Sequence, residues 1–363
     1  MLLALVFGVL AGAGISACIN VDREGAPCDT DDNCPRSQYC DLTNKCVELT
    51  PALPADTACQ LALVSLTQKF SACVGGKQQT WLEEIFPQQI CGTLAASQTA
   101  GRITYAPMQL KVCRAALLNA SCGDVATRKP GQQLSGCPMY TGTVAQAGSC
   151  ATDKDCAAGW CDTSTGCLGT CRGFVPEGGS CATATDLCAP GAACFNGACR
   201  SYITGGGCDG GPCQPYSNFC NGNQQCVPRL PAGTANCDYS GAGYFCQQTL
   251  NCVGPAVFAT KFCQPPAQQG ELCQGFTNAC DKFTICTQTD GGNVCAPVPG
   301  PGGGCFATPP QNAQDLVLYC RQSRCNGFSC VSYLGLGAGC GDNAACGPLA
   351  RCVNGACRSE FCP

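Results

Sequence analysis

Cysteine returns along this chain in runs of four, and that recurrence limits the possible folds more than any other feature. GAPCDTDDNCPRSQYCDLTNKC carries Cys28, Cys34, Cys40 and Cys46. GSCATDKDCAAGWCDTSTGC carries Cys150, Cys156, Cys161 and Cys167. The next set is Cys181, Cys188, Cys194 and Cys199, and the last begins Cys340, Cys346, Cys352, Cys357. Further sets start at Cys208, Cys237, Cys273 and Cys305. The reading is of about eight small modules, seven of them in tandem. Most sets follow Gly or Gly-Gly, and Pro-rich connectors such as VPRLPAG and QPPAQQG join them. A chain with 41 cysteines among 363 residues lies in the range where a disulfide scaffold is the default. Large apolar residues are sparse outside one segment, so many stapled units fit better than one large core.

Four cysteines allow three pairings, and spacing alone does not choose among them. The expected pattern is first to third and second to fourth. The heptads CFNGACR (194–200) and CVNGACR (352–358) supply the motive. Asn-Gly specifies a two-residue hairpin turn, with a cysteine on each arm that can reach back to an upstream loop. A direct Cys194–Cys199 bond is the alternative, but it would staple only the turn. Cys171 and Cys362 fall outside the sets of four. They either bridge each other and close the array, shift the pairing inside their own modules, or bond to a partner.

Several chemistries are excluded. The chain has no histidine, which removes Ser-His-Asp and Cys-His catalysis and every His-based metal site. No two cysteines stand in a CxxC spacing, which zinc ribbons, thioredoxin-like sites and ferredoxin-type clusters normally need; the nearest is Cys167-Leu-Gly-Thr-Cys171. Net charge is −4 with no long basic run, so nucleic-acid binding has no electrostatic footprint. No cofactor is expected.

Residues 50–137 differ from the rest. Their six cysteines are widely spaced, and the segment reads as a small helical domain held by about three bridges. PADTACQLALVSLTQKFSACVGG predicts a helix capped by Asp56, with Leu61, Val64 and Phe70 as an apolar stripe and Gly75-Gly76 ending it. GRITYAPMQLKVCRAALLNASCG predicts an extended stretch and a second helix, with Pro107 near its first turn and Leu110, Cys113, Leu117 and Leu118 facing inward. A third helix is expected around TWLEEIFPQQICGTLAAS, broken near Pro87. The fold class is therefore tandem disulfide-rich modules of short hairpins and loops, plus one disulfide-stapled α-helical domain. The expected division is 1–17, 18–49, 50–137 and 138–363.

The first seventeen residues read as a signal peptide. Leu2 to Ile15 form an apolar run too short for a confident membrane span. Ile15-Ser16-Ala17-Cys18 resembles a bacterial lipobox, which implies diacylation of Cys18 and membrane attachment through its lipid. Setting Cys18 aside leaves an even number of cysteines. Ile19, where inner-membrane retention signals carry Asp, favours the outer membrane by the same resemblance.

Gly101 to Leu117, with its ITY-x-P stretch followed by Cys113 and Ala116-Leu117, together with Gly148 to Cys167, resembles a family of myxobacterial cysteine-rich lipoproteins and secreted proteins. Such sequences are commonly described by a Dickkopf-type N-terminal cysteine-rich region. The resemblance implies a Cys framework and no enzymatic activity, and a shared framework does not carry function.

Candidate chemistry is thin. Asp29, Asp31 and Asp32, or Asp153 and Asp155, stand in loops closed by cysteines and are calcium candidates, against the simpler reading of Asx-type turns. Glu83 and Glu84 beside Trp81 suggest a glycosidase pair only superficially, since helix neighbours i and i+1 point apart. Asn119 heads a glycosylation sequon and also suits a helix end. Tyr202, Tyr216, Phe219, Tyr239, Tyr244, Phe245, Tyr319 and Tyr333 either cover disulfides or make surface contacts. The expected function is a non-enzymatic cell-surface lipoprotein with a structural or protein- or glycan-binding ectodomain. The alternative is a secreted cysteine-rich inhibitor or ligand.

Overall fold

The computed structural model describes residues 24–359 except 77, 79–80, 83–88, 128–135, 165–167, 183–185, 238–244, 248–249, 254–261, 274–279, 281–283, 290–291, 305–319, 321–322, 326–328, 336, 342–345, 347–349 and 354. Two compact units result, Met1–Leu49 and Thr50–Pro363. Cys18, Glu83, Glu84, Pro87, Cys167, Tyr239, Tyr244, Tyr319 and Cys362 lie outside the described residues.

The first unit shows one module in isolation. Strand β1 (Gln38–Cys40) pairs antiparallel with β2 (Cys46–Glu48), placing Cys40 opposite Cys46. Opposed residues project from the same face of a hairpin, so both sulfurs point at the segment bearing the first two cysteines. The bonds are Cys28–Cys40 and Cys34–Cys46, first to third and second to fourth. Their four side chains are the buried core of the module. Each bridge closes a sequence separation of 12 residues, which stabilises by about 3 kcal/mol in the chain-entropy model.

The second unit repeats this plan. Cys181 bonds Cys194 and Cys188 bonds Cys199, on a hairpin of β8 (Ala192–Phe195) and β9 (Ala198–Ser201). Asn196 at φ 50° and Gly197 at φ 79° make the expected turn. Cys194 faces Cys199 across this hairpin, yet neither bonds the other. The same crossed pairing joins Cys208–Cys220, Cys213–Cys226, Cys237–Cys252, Cys246–Cys263, Cys340–Cys352 and Cys346–Cys357. The module at Cys150 corrects one expectation. Its bonds are Cys150–Cys161 and Cys156–Cys171, so Cys171 takes the fourth place instead of Cys167 and does not bridge Cys362. The reason is register. Strand β6 (Trp160–Asp162) pairs with β7 (Gly169–Arg172), and Cys171 is the residue opposite Cys161.

Backbone hydrogen bonds explain the glycines before most of the sets. The N–H of the residue three or four places before the first cysteine donates to the carbonyl of the fourth: Gly25 to Cys46, Gly178 to Cys199, Gly233 to Cys263, Gly270 to Cys295, Gly337 to Cys357. All five glycines have φ between 77° and 87°, a left-handed conformation that costs other residues. In the Cys150 module Ala147 fills this place, at φ 66°, and donates to Cys171.

The connectors prove to be module parts. Val144 pairs in parallel with Cys156, Val175 with Cys188, Ile203 with Cys213, Leu230 with Cys246 and Ala267 with Cys280. Each connector residue thus lies beside the second cysteine of the module it precedes. Val144, Val175, Leu230 and Ala267 also pack on the sulfur clusters.

The helical domain is built on α1 (Ala55–Val74), flanked by α2 (Gln89–Thr99), α3 (Leu110–Asn119) and a short α4 (Cys122–Thr127) that the sequence did not announce. Cys59–Cys91 ties α1 to α2, Cys73–Cys122 ties α1 to α4, and Cys113–Cys137 fixes α3. Leu61, Leu66, Phe70, Trp81, Ile90, Leu94, Leu110 and Leu117 form the core, while Val64 and Leu118 are half-buried. Helix α1 starts two residues earlier than expected, with Pro54 in place of Asp56 at its N-cap. The Pro54 carbonyl accepts from Ala58, so Asp56 lies within the first turn and does not cap it. Asp56 there still complements the helix dipole. The domain also extends past Cys137. Strand β3 (Ile103–Tyr105) pairs with β4 (Tyr140–Gly142), and the buried Tyr140 hydroxyl donates to the Ala55 carbonyl at 2.6 Å.

Replacing Ala147 by Gly removes the left-handed penalty at the one such position among the described residues that is occupied by a residue with a Cβ. The expected gain is about 1 kcal/mol, read as a raised midpoint of thermal unfolding. An unchanged or lower midpoint would contradict this account.

Candidate functional site

The loops CDTDDNC and CATDKDC fold alike. Asp31–Asn33 and Asp153–Asp155 each make one 3-10 turn after a threonine. The first acid of the turn reaches the third cysteine of its module: Asp31 Oδ1 accepts from Cys40 N at 2.9 Å, and Asp153 Oδ1 from Cys161 N at 2.6 Å. The third residue closes the loop from the other side. Asn33 Oδ1 accepts from Asp29 N and Thr30 N, both at 3.0 Å, and Asp155 Oδ2 accepts from Ala151 N at 2.6 Å. These oxygens hold backbone N–H groups in place, which is the Asx-type arrangement. Asp29 and Asp32 are exposed. The five acids weighed as calcium ligands thus include three whose geometry is that of turn stabilisers.

The two loops differ where the second meets the helical domain. Asp32 is exposed, whereas its counterpart Lys154 is buried. Lys154 Nζ donates to the carbonyls of Cys137 and Tyr140 at 2.9 and 3.4 Å. Asp155, fully buried, forms an ion pair with Arg102 at 2.9 Å. Arg102 also donates to Ser97 Oγ on α2. Gly142 allows the approach, since a Cβ there would stand 2.3 Å from the Cys156 carbonyl oxygen. The first tandem module is therefore locked to the helical domain by charged groups out of water. Burial pushes the Lys154 ammonium down to about 8, against the upward pull of Asp153. Burial also drives the Tyr140 phenol well above its ordinary range, helped by Tyr105 and Asp56.

The contact continues along the array. Ser121 caps α4 by accepting from Asp124 N at 3.0 Å, and Asp124 Oδ1 accepts from Gly191 N in the next module at 2.9 Å. Tyr202 and Pro215 lie against Gly123. Farther on, Phe219 and Phe245 meet edge to face at 4.8 Å, with Arg229 over the Phe245 ring. Phe219 is buried, and Tyr202, Tyr216 and Tyr333 are half-buried. These aromatics serve inter-module packing where their contacts are defined. Arg102, Lys154, Asp124 and the connector residues were not singled out from sequence. The only available signal was the apolar residue recurring five to seven places before a first cysteine.

No helix among the described residues is long and apolar enough to cross a membrane. Exposed apolar side chains are scattered: Leu42, Met108, Val112, Leu168, Phe262 and Leu272.

Two outcomes are expected. Arg102→Met leaves the Asp155 carboxylate buried without its charge partner and should cost about 3 kcal/mol in denaturant unfolding, with partial recovery when combined with Asp155→Asn. Lys154 carries the opposite signature. Because its folded state gives up the proton near pH 8 and the unfolded chain near its ordinary value of about 10.4, the unfolded chain binds more protons between them. Stability should therefore rise with pH across that window, until tyrosine ionisation opposes it. Melting of the parent relative to Lys154→Met, followed from pH 7 to pH 10, checks this; a parallel pair of profiles would refute it. Searches for similar proteins returned no matching family model, no matching curated protein and no matching solved structure.

Proposed function

We propose that this chain is a non-enzymatic cell-surface lipoprotein, attached through lipid on Cys18, whose ectodomain is a disulfide-stapled array with a structural or protein- or glycan-binding role. The observation that carries it is the oxidation state of the sulfurs. Seventeen disulfides occur among the described residues, and that density fits an exported protein in an oxidising compartment. The buried carboxylates and the buried lysine are spent on turns and inter-module contacts, which supports a scaffold over a catalyst. The modules of this chain differ from one another in the loops between the staples, where a rigid frame presents side chains at low entropic cost. Outer-membrane placement and kinship with the myxobacterial cysteine-rich family belong to the same reading, and rest on Ile15–Ile19, Gly101–Leu117 and Gly148–Cys167.

Metabolic labelling with a palmitate analogue tests the anchor. The parent chain should be labelled and sediment with membranes, and Cys18→Ala should lose the label. An unlabelled parent found in the medium would instead favour a secreted inhibitor or ligand.

A further inference from the structure

We propose that Asn196 is a site of spontaneous covalent modification, at which the Asn196-Gly197 turn rearranges through a cyclic imide to isoaspartate. This goes beyond the surface role above. The chain has Asn-Gly pairs at Asn196-Gly197, Asn221-Gly222, Asn326-Gly327 and Asn354-Gly355. Asn326, Gly327 and Asn354 lie outside the described residues. The first two pairs sit in different surroundings. Asn196 and Gly197 are both exposed, at the tip of the β8–β9 hairpin. Among the described residues, neither the Asn196 carboxamide nor the Gly197 N–H has a hydrogen-bond partner. Nothing stands within 4 Å of the place a Cβ on Gly197 would take, so a small ring has room to form.

Asn221-Gly222 is held instead. Asn221 directly follows Cys220, the third cysteine of its module, and its Oδ1 accepts from Asn223 N and Gln225 N, both at 3.0 Å. Asp41, directly after Cys40, makes the same turn by accepting from Thr43 N and Lys45 N at 2.9 Å. A carboxamide fixed in this way brings its carbon onto the following N–H only by giving up both bonds. Asn196 stands two places after Cys194, in a two-residue turn at φ 50°, and its carboxamide is not held.

The chemistry needs only water. Solvent base takes the proton of the Gly197 N–H, and the nitrogen attacks Asn196 Cγ. The N–Cγ bond forms, the Cγ–Nδ2 bond breaks, and ammonia leaves. Water then opens the imide. Cleavage of the new N–Cγ bond leaves aspartate, and cleavage of the original peptide bond leaves isoaspartate, whose main chain runs through Cβ and Cγ. The second product carries an extra main-chain carbon in a turn whose length matches its strands. The Gly197 carbonyl accepts from Cys181 N at 3.0 Å, so displacing it frees the amide of the module's first cysteine. Cys181–Cys194 and Cys188–Cys199 persist, since no bond to sulfur changes. The modification loosens this clamp and adds a negative charge to the hairpin tip.

The full chain with its disulfides intact, aged at mildly alkaline pH, tests this. Peptide mapping by mass spectrometry locates each amide-to-acid conversion, and electron-based fragmentation separates isoaspartate from aspartate. Asn196 should convert with isoaspartate among its products, and Asn221 should convert more slowly by about tenfold or more, because two hydrogen bonds must break first. Chain that has been reduced and unfolded in denaturant should convert at both pairs at similar rates. Hydrogen exchange at the Cys181 amide should be faster in the aged folded chain than in fresh chain, and unchanged by ageing in Asn196→Gln. Equal rates at the two pairs in the folded chain, no conversion at Asn196, the same difference persisting after unfolding, or unaltered exchange at Cys181 in the aged parent would each overturn the proposal.

Discussion

The crossed pair of disulfides over a hairpin is the constraint from which the rest of the molecule follows. A unit the size of residues 24–49 cannot bury enough apolar surface to offset its chain entropy. Its core is four sulfur-bearing side chains. Because the third and fourth cysteines face each other on adjacent strands, their sulfurs emerge on one side of the ladder. Bonding each to a different upstream cysteine ties both arms to the preceding loop. A bond straight across the hairpin would have left that loop untethered.

The remaining features serve that arrangement. In the modules at Cys28, Cys150, Cys181, Cys237, Cys273 and Cys340 a left-handed residue before the set turns the chain so that its N–H meets the carbonyl of the fourth cysteine. The threonine-led turn aims an acid at the backbone N–H of the third cysteine. The connector residue lies along the second cysteine and covers the sulfur cluster. With so few apolar side chains available, one valine or leucine per module has a large effect on how dry that cluster is. The array is thereby continuous: the end of one module leads within one or two residues into the clamp of the next, as Arg172 leads to Val175 and Ser201 to Ile203.

The helical domain follows different physics, with a conventional aliphatic and aromatic core around α1. Its junction with the first tandem module is the place where ionisable groups are withdrawn from water. Arg102, Lys154 and Asp155 satisfy one another or nearby carbonyls there. Buried pairs of this kind add little net stability but penalise misdocking strongly. The lone module of the first unit has Asp32 and Asn33 at the equivalent places.

Much of this was legible in the sequence because cysteine spacing and turn residues act locally. The sets of four, the Asn196-Gly197 turn, the three-bridge helical segment and the first-to-third, second-to-fourth pairing all follow from which loops a hairpin arm can reach. What sequence could not decide is what depends on register and on distant partners. Cys171 displaced Cys167 because strand pairing, not count, sets which residue stands opposite Cys161. The helical domain ran on to Gly142 because β3 found its partner beyond Cys137. The carboxylates of Asp153 and Asp155, ambiguous as bare letters, became turn and ion-pair groups only when Cys161 and Arg102 were brought within 3 Å of them. The local code sets the crossed plan of the staples, and strand register and long-range packing decide which cysteine fills each place and what each staple holds together.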